Sequence, residues 1–188
     1  MDLTNVFGVN VLAQFVKWFH GPFAVEFTEQ FPGKGLTLVI LDPDMTCDAM
    51  LSWQDPMRYR MFVAHQGSVT VAEALNGTLE NVIGKLHFCL RTGYASVKAE
   101  TMKYLVREGD FPHEGAGEYR DHFGGASGLA KEDDWKIYCQ CVDKLIELLD
   151  DAIGRAMERA EVLRHDAAAP AGVKYLHHIN LAEIATEA

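Results

Sequence analysis

Between Val69 and Val106 the apolar positions change period twice within one continuous segment. Val71, Leu75, Leu79, Val82 and Ile83 recur at steps of three and four, which predicts a helix buried along one side. Leu86, Phe88 and Leu90 then alternate with Lys85, His87, Cys89 and Arg91, so the pattern predicts a strand over Lys85–Thr92 that turns three large side chains to one face. Gly93 closes it. From Tyr94 onward Val97, Met102, Leu105 and Val106 return to a looser helical spacing. A unit of helix, strand and helix buries its parts only if the strand belongs to a larger sheet.

The residues before this unit supply the rest of that sheet. Leu3–His20 is apolar nearly all round, with Lys17 its one charge, which predicts a buried helix ended by Gly21-Pro22. Phe23, Val25 and Phe27 alternate with Ala24, Glu26 and Thr28 as a half-buried strand. Pro32-Gly33-Lys34-Gly35 is a turn, and Leu36–Leu41 is a second strand with Leu36, Leu38 and Ile40 inward. Asp42-Pro43-Asp44 turns again, Ala49–Trp53 reads as a short third strand, and Tyr59, Met61 and Val63 mark a fourth. With Leu86–Leu90 the count is five. Val39, Leu41 and Phe62 point to the opposite face, which therefore calls for a cover.

Gly109–Lys131 is rich in Gly, Asp, Glu and His and reads as a long loop. Glu132–Arg164 carries Trp135, Tyr138, Val142, Leu145, Leu149, Ala152, Ala156 and Leu163 at helical spacing, a stripe widened by Ile146, Ile153 and Met157. Such a helix reaches about 45–50 Å, longer than a domain of this size is wide. Asp166–Gly172 reads as a linker, and Val173–Ala188 as a tail able to dock on a second subunit. The fold class expected is α+β: a five-stranded mixed, mainly antiparallel sheet with helices packed on one face, plus a long C-terminal amphipathic helix.

Asn76-Gly77-Thr78-Leu79, the Gly84-Lys85-Leu86 step, Gly93 and a helix beginning near Tyr94 together resemble the carboxy-terminal half of the sterol carrier protein type 2 family. The resemblance implies a small lipid-binding domain over residues 1–108, in which a five-stranded sheet and helices enclose an apolar tunnel. Residues 109–131 would be a loop, and 132–188 a helical extension and tail outside the family's core. No catalytic residue and no cofactor is implied.

Composition narrows the partners. The 188-residue chain is 48% apolar, as globular chains are, and carries a net charge of −10. That charge argues against nucleic acid and against anionic membrane surfaces, both of which need clustered Lys and Arg. Four cysteines are too few for a disulfide scaffold, no signal peptide is legible at the start, and no run approaches the roughly 18 apolar residues of a membrane span. A cytoplasmic protein is expected, not an integral membrane protein. The long helix and the second sheet face favour a homodimer.

Candidate chemistry is sparse. His113, Glu114 and His122, with Asp121, place imidazole and carboxylate in the loop, where they could ligate a divalent metal, but no helical His pair or Cys-x-x-Cys fixes their spacing. Cys139 and Cys141 flank one residue of a helix and point about 200° apart, so they cannot share a metal. Ser127 follows a glycine run without the Gly-x-Ser-x-Gly order of a nucleophile elbow. No metal site and no catalytic set is assigned. The remaining candidate is an apolar cavity lined by Phe15, Val25, Phe27, Leu38, Ile40, Met61, Leu75, Leu79, Phe88, Leu90 and Met102. It would hold a fatty acyl chain, acyl-CoA or sterol-like lipid by desolvation, a buried 16-carbon chain gaining roughly 13 kcal/mol gross. The alternatives are a metal-dependent enzyme or enzyme subunit using His113, Glu114 and His122, or an oligomerisation module built on the long helix.

Overall fold

A computed structural model describes residues 3–41, 61–68, 70, 72 and 77–166. Two helices lead: α1 (Leu3–His20) and α2 (Pro22–Gln30). Strands β1 (Gly35–Leu41) and β2 (Met61–Gly67) follow, then α3 (Leu79–Thr92) and two short 3-10 turns, Ser96–Glu100 and Lys103–Leu105. A hairpin of β3 (Ala116–Tyr119) and β4 (His122–Ser127) leads into the final helix α4 (Lys131–Asp166). The described strands form one antiparallel sheet in the order β2-β1-β4-β3.

The α+β class, the antiparallel sheet and the long C-terminal helix follow the sequence, but the strand count does not. Four described strands stand where five were expected: β1 and β2 match the strands expected at Leu36–Leu41 and around Tyr59–Val63, and the other two do not match. Phe23–Thr28 is helical. Five aromatic rings recur at every fourth residue, Phe15, Phe19, Phe23, Phe27 and Phe31, and stack in succession at centroid distances of 5.1–6.1 Å. A period of four across α1 and α2 outweighs the short alternation of Phe23, Val25 and Phe27. Pro22 supplies the fixed φ of a first helical residue rather than ending the helical run.

Lys85–Thr92 is likewise helix, not strand. Val82, Lys85, Leu86 and Cys89 recur at three and four and are all buried, so the Gly84-Lys85-Leu86 step lies inside α3 rather than at a strand start. Gly93 caps this helix in the left-handed conformation (φ 73°). The residues after Tyr94 form 3-10 turns rather than a helix. Asp110, its side chain fully buried, holds this segment against α3: it accepts from His87 Nδ1 (2.8 Å), from the Arg91 guanidinium and from the Arg107 backbone N–H (2.8 Å).

Residues 109–131, expected to be loop, carry the β3–β4 hairpin. Its two turn residues, Arg120 and Asp121, both have positive φ (50° and 63°), the signature of the two-residue turn that matches strand twist. Ala49–Trp53 and Leu75 lie outside the described residues.

Helices cover both faces of the sheet, not one. Leu36, Leu38 and Ile40 face α1, α2 and α4, in a core with Val11, Phe15, Phe19, Phe23, Phe27, Tyr138, Cys141 and Val142. Val39 and Leu41 face the other way, against Val82, Leu86 and Cys89 of α3. The cover expected over Val39 and Leu41 is therefore α3. Phe62 pairs with Ile40 and joins the first core, packing edge-on to Phe15, so the face expected for it is reversed.

Gly124 shows how closely α4 sits on the sheet. A Cβ there would meet the Val39 carbonyl oxygen at 2.4 Å and the Tyr138 ring at 2.5 Å. Gly124→Ala is expected to lower unfolding free energy by about 1–3 kcal/mol, read from urea denaturation.

Candidate functional site

On the face covered by α3, Thr37 of β1 pairs with Ser127 of β4, and both point toward the α3 side. Lys85, on the buried side of α3, sends its ammonium to the end of β4. It donates to the Ala126 carbonyl oxygen (2.9 Å) and to Asp134 Oδ2 (2.9 Å). Asp134 stands in the first turn of α4, where its other oxygen accepts the Leu129 backbone N–H (3.0 Å). Lys85 is 1% and Asp134 3% exposed. Gly115 leaves room for this pair, since a Cβ there would meet Lys85 Nζ at 2.7 Å.

Burial pushes the Lys85 ammonium down and the Asp134 carboxyl up from their ordinary values, and each partner opposes the other's shift. Desolvation is the larger influence on both groups. The pair is therefore no simple source of stability, but removing one partner strands the other without water.

Above this pair lies a cleft of about 450 Å³. Its walls are Thr78 and Asn81 at the start of α3, Phe111, His113 and Glu114 from the segment before β3, and Ser127, Gly128 and Leu129 where β4 turns into α4. Among the described residues the Glu114 carboxylate makes no ion pair or hydrogen bond; its proximity helps hold the Lys85 proton. Ser127 is 5% exposed and has no base at hydrogen-bond distance among the described residues.

The residues named from sequence fall in several places. Phe15, Phe27, Leu38 and Ile40 pack together on the α1 side of the sheet at 0–1% exposure. Met61, Leu79 and Leu90 pack on the α3 side, Phe88 is fully buried in α3, and Met102 is half-buried between the two 3-10 turns. Val25 is 61% exposed. The sheet thus separates the lining into two groups.

His113 and Glu114 both line the cleft, while His122 starts β4 at the far end of the hairpin, about 17 Å along the strand from Ser127. His113 lies 3.6 Å from Glu100, and His122 Nδ1 donates to the Arg120 carbonyl oxygen. Among the described residues no three His, Cys, Asp or Glu side chains are grouped to hold a metal. Cys141 is buried and Cys139 half-buried; burial raises both thiols, and pushes Cys89 up to about 12. No described helix is long and apolar enough to cross a membrane.

Sequence reasoning missed Lys85 and Asp134. Their signal is present once 79–92 is read as helix: Lys85 is then a charge in the middle of the stripe formed by Val82, Leu86 and Cys89, and such a charge needs a partner. Asp134→Ala is expected to cost about 3–5 kcal/mol in urea unfolding, and the double change Lys85→Met with Asp134→Leu to recover most of it.

No family model matches this chain, and no curated protein matches it in sequence. Among solved structures it is similar to one described as "Crystal structure of Ybr137w protein", at 19% identity, covering 74% of this chain and 79% of that chain with a TM-score of 0.41. A likeness at that level carries no argument about what the chain does.

Proposed function

We propose that the cleft above Lys85 and Asp134 binds a small polar molecule, neutral or cationic, in a non-covalent site. The observation that carries this reading is a fully buried ion pair forming the floor of an open pocket. Buried charge is costly to maintain, and pockets with a few converging polar groups are where it is found in use. Lys85 spends its charge on Asp134 and two of its three donors on Asp134 and Ala126, so it is not a free anchor for an anion. Glu114 has a carboxylate to offer, Thr78, Asn81 and Ser127 offer hydroxyl and amide groups, and Phe111 offers an aromatic surface. That set suits an amine or a hydrogen-bond donor more than a phosphate. A hydrolytic role has less to support it, because Ser127 lacks an activating base among the described residues.

A thermal-shift screen of small polar metabolites tests the reading. Ligands at about 100 times their Kd should stabilise the chain by roughly 2.7 kcal/mol, and Asn81→Trp, which fills the cleft from a half-buried helix position, should abolish those shifts while leaving the circular dichroism unchanged. Ligand shifts that persist in Asn81→Trp overturn it.

An acyl chain or sterol-like lipid between sheet and helices is the second reading. It is favoured by the amount of apolar surface gathered on both sheet faces. Because Phe15, Phe27, Leu38, Ile40 and Phe88 are 0–1% exposed, such a ligand would enter by displacing side chains that touch one another. Native mass spectrometry of gently purified protein is expected to show lipid mass adducts if this reading holds, and the bare chain mass if it does not.

A further inference from the structure

A second cleft, of about 480 Å³, opens at the β2 edge of the sheet, between the end of α1, the α2–β1 turn and the last residues of β2. Its walls carry three side chains able to hold positive charge, His20, Lys34 and His65, and among the described residues that line it there is no carboxylate. In a chain of net charge −10 that is an unusual local balance. Neither His20 nor Lys34 makes an ion pair among the described residues, and both side chains are exposed.

The cleft is also built, not merely open. Gly67 (φ 83°) lets β2 close against the turn before β1, since a Cβ there would meet the Lys34 carbonyl oxygen at 2.1 Å. Ser68 then ties the two segments, donating from its N–H to the Lys34 carbonyl (3.1 Å) and from its hydroxyl to the Gly33 carbonyl (3.0 Å). His65 is fixed from behind: its Nδ1 is hydrogen-bonded to the hydroxyl of fully buried Thr37 (3.0 Å), which is bonded in turn to the Thr78 hydroxyl. The ring orientation is therefore set, and Nε2 is the nitrogen left for a ligand.

We propose that this cleft is a binding site for a small oxyanion, a phosphate or carboxylate group, held by His20, Lys34 and His65 Nε2. Among the described residues, His20 from α1 is the charged group that acts on His65, Thr37 of β1 bonds its ring and is itself bonded to Thr78, Lys34 lines the same cleft, and none of these is acidic. Burial, and secondly the neighbouring His20, push the His65 imidazole below its ordinary value. A bound anion acts in the opposite direction on the His65 ring, so binding and proton uptake there reinforce each other. A hydrogen-bond chain joins this site to the cleft above Lys85 and Asp134, because Thr78 lines that cleft and reaches His65 through Thr37.

The test is titration of the full chain with sulfate, a phosphate-like dianion whose own charge does not change between pH 6 and 8, followed by calorimetry and by NMR of the histidine rings. The expected result is a Kd of about 1 mM or tighter at pH 6, weakening by about ten-fold toward pH 8 as the His65 imidazole loses its proton, with NMR shifts on the His20 and His65 rings on binding. Lys34→Gln and His20→Gln, at exposed positions, should each weaken binding about three-fold, and His65→Gln about ten-fold. Parallel arms use inorganic phosphate, acetate and vesicles containing phosphatidylglycerol. Phosphate binding supports the site, and acetate competition extends it to carboxylates. The proposal is overturned by sulfate that leaves both rings unshifted, by affinity that the three substitutions do not change, or by binding to vesicles alone.

Discussion

Burial of β1 on both faces is the constraint to which the other described elements answer. Every residue from Gly35 to Leu41 is shut away from water. A strand in that position needs a partner on each edge and a layer on each side, because its amides must be paired and its alternate side chains must all find apolar contact. β2 and β4 supply the edges. The phenylalanine ladder of α1 and α2, together with α4, supplies one layer, and α3 the other. The polar exception is Thr37, whose hydroxyl cannot stay unpaired at such depth, and which is satisfied by His65 and Thr78. One threonine in a buried strand thus draws a histidine and a second threonine into fixed positions.

Much of this architecture can be read from the chain. The all-round apolar character of residues 3–20, the Leu-Thr-Leu-Val-Ile-Leu strand and the long stripe of 132–164 each persist for long enough to exclude other periods. The failures share a physical cause. Along α3 residues 82, 84, 85, 86, 88 and 89 are all buried, so the apolar arc is wide, and a wide arc sampled over seven residues contains an alternating subset that mimics a strand. The alternation of Phe23, Val25 and Phe27 is the same illusion, and Val25 in fact faces solvent.

The hairpin was illegible for the opposite reason. β4 reads His-Phe-Gly-Gly-Ala-Ser and has little bulk of its own, because the Tyr138 ring and Ala116 occupy the space its side chains would take. Its turn is made by Arg120 and Asp121 rather than by an Asn-Gly pair, so no sequence signal announces it. With the hairpin unread and α3 read as a strand, Lys85, Ser127 and Asp134 stayed on three unrelated elements. They could not be seen as neighbours. His113 and Glu114 were legible as candidate ligands by residue type, yet their place beside that ion pair depended on the same missing contact.

The sheet order has a cost during synthesis. Thr37 is paired with Ser127, and roughly ninety residues must follow Thr37 out of the ribosome before β4 exists to close that edge. Until then the nascent amino-terminal half holds a greasy strand with one row of amides unclaimed, next to a ladder of phenylalanines that α4 has yet to cover. Folding of this protein is consequently tied to its carboxy-terminal third, and a ribosome stalled before residue 122 would display an adhesive half-sheet that calls for a chaperone.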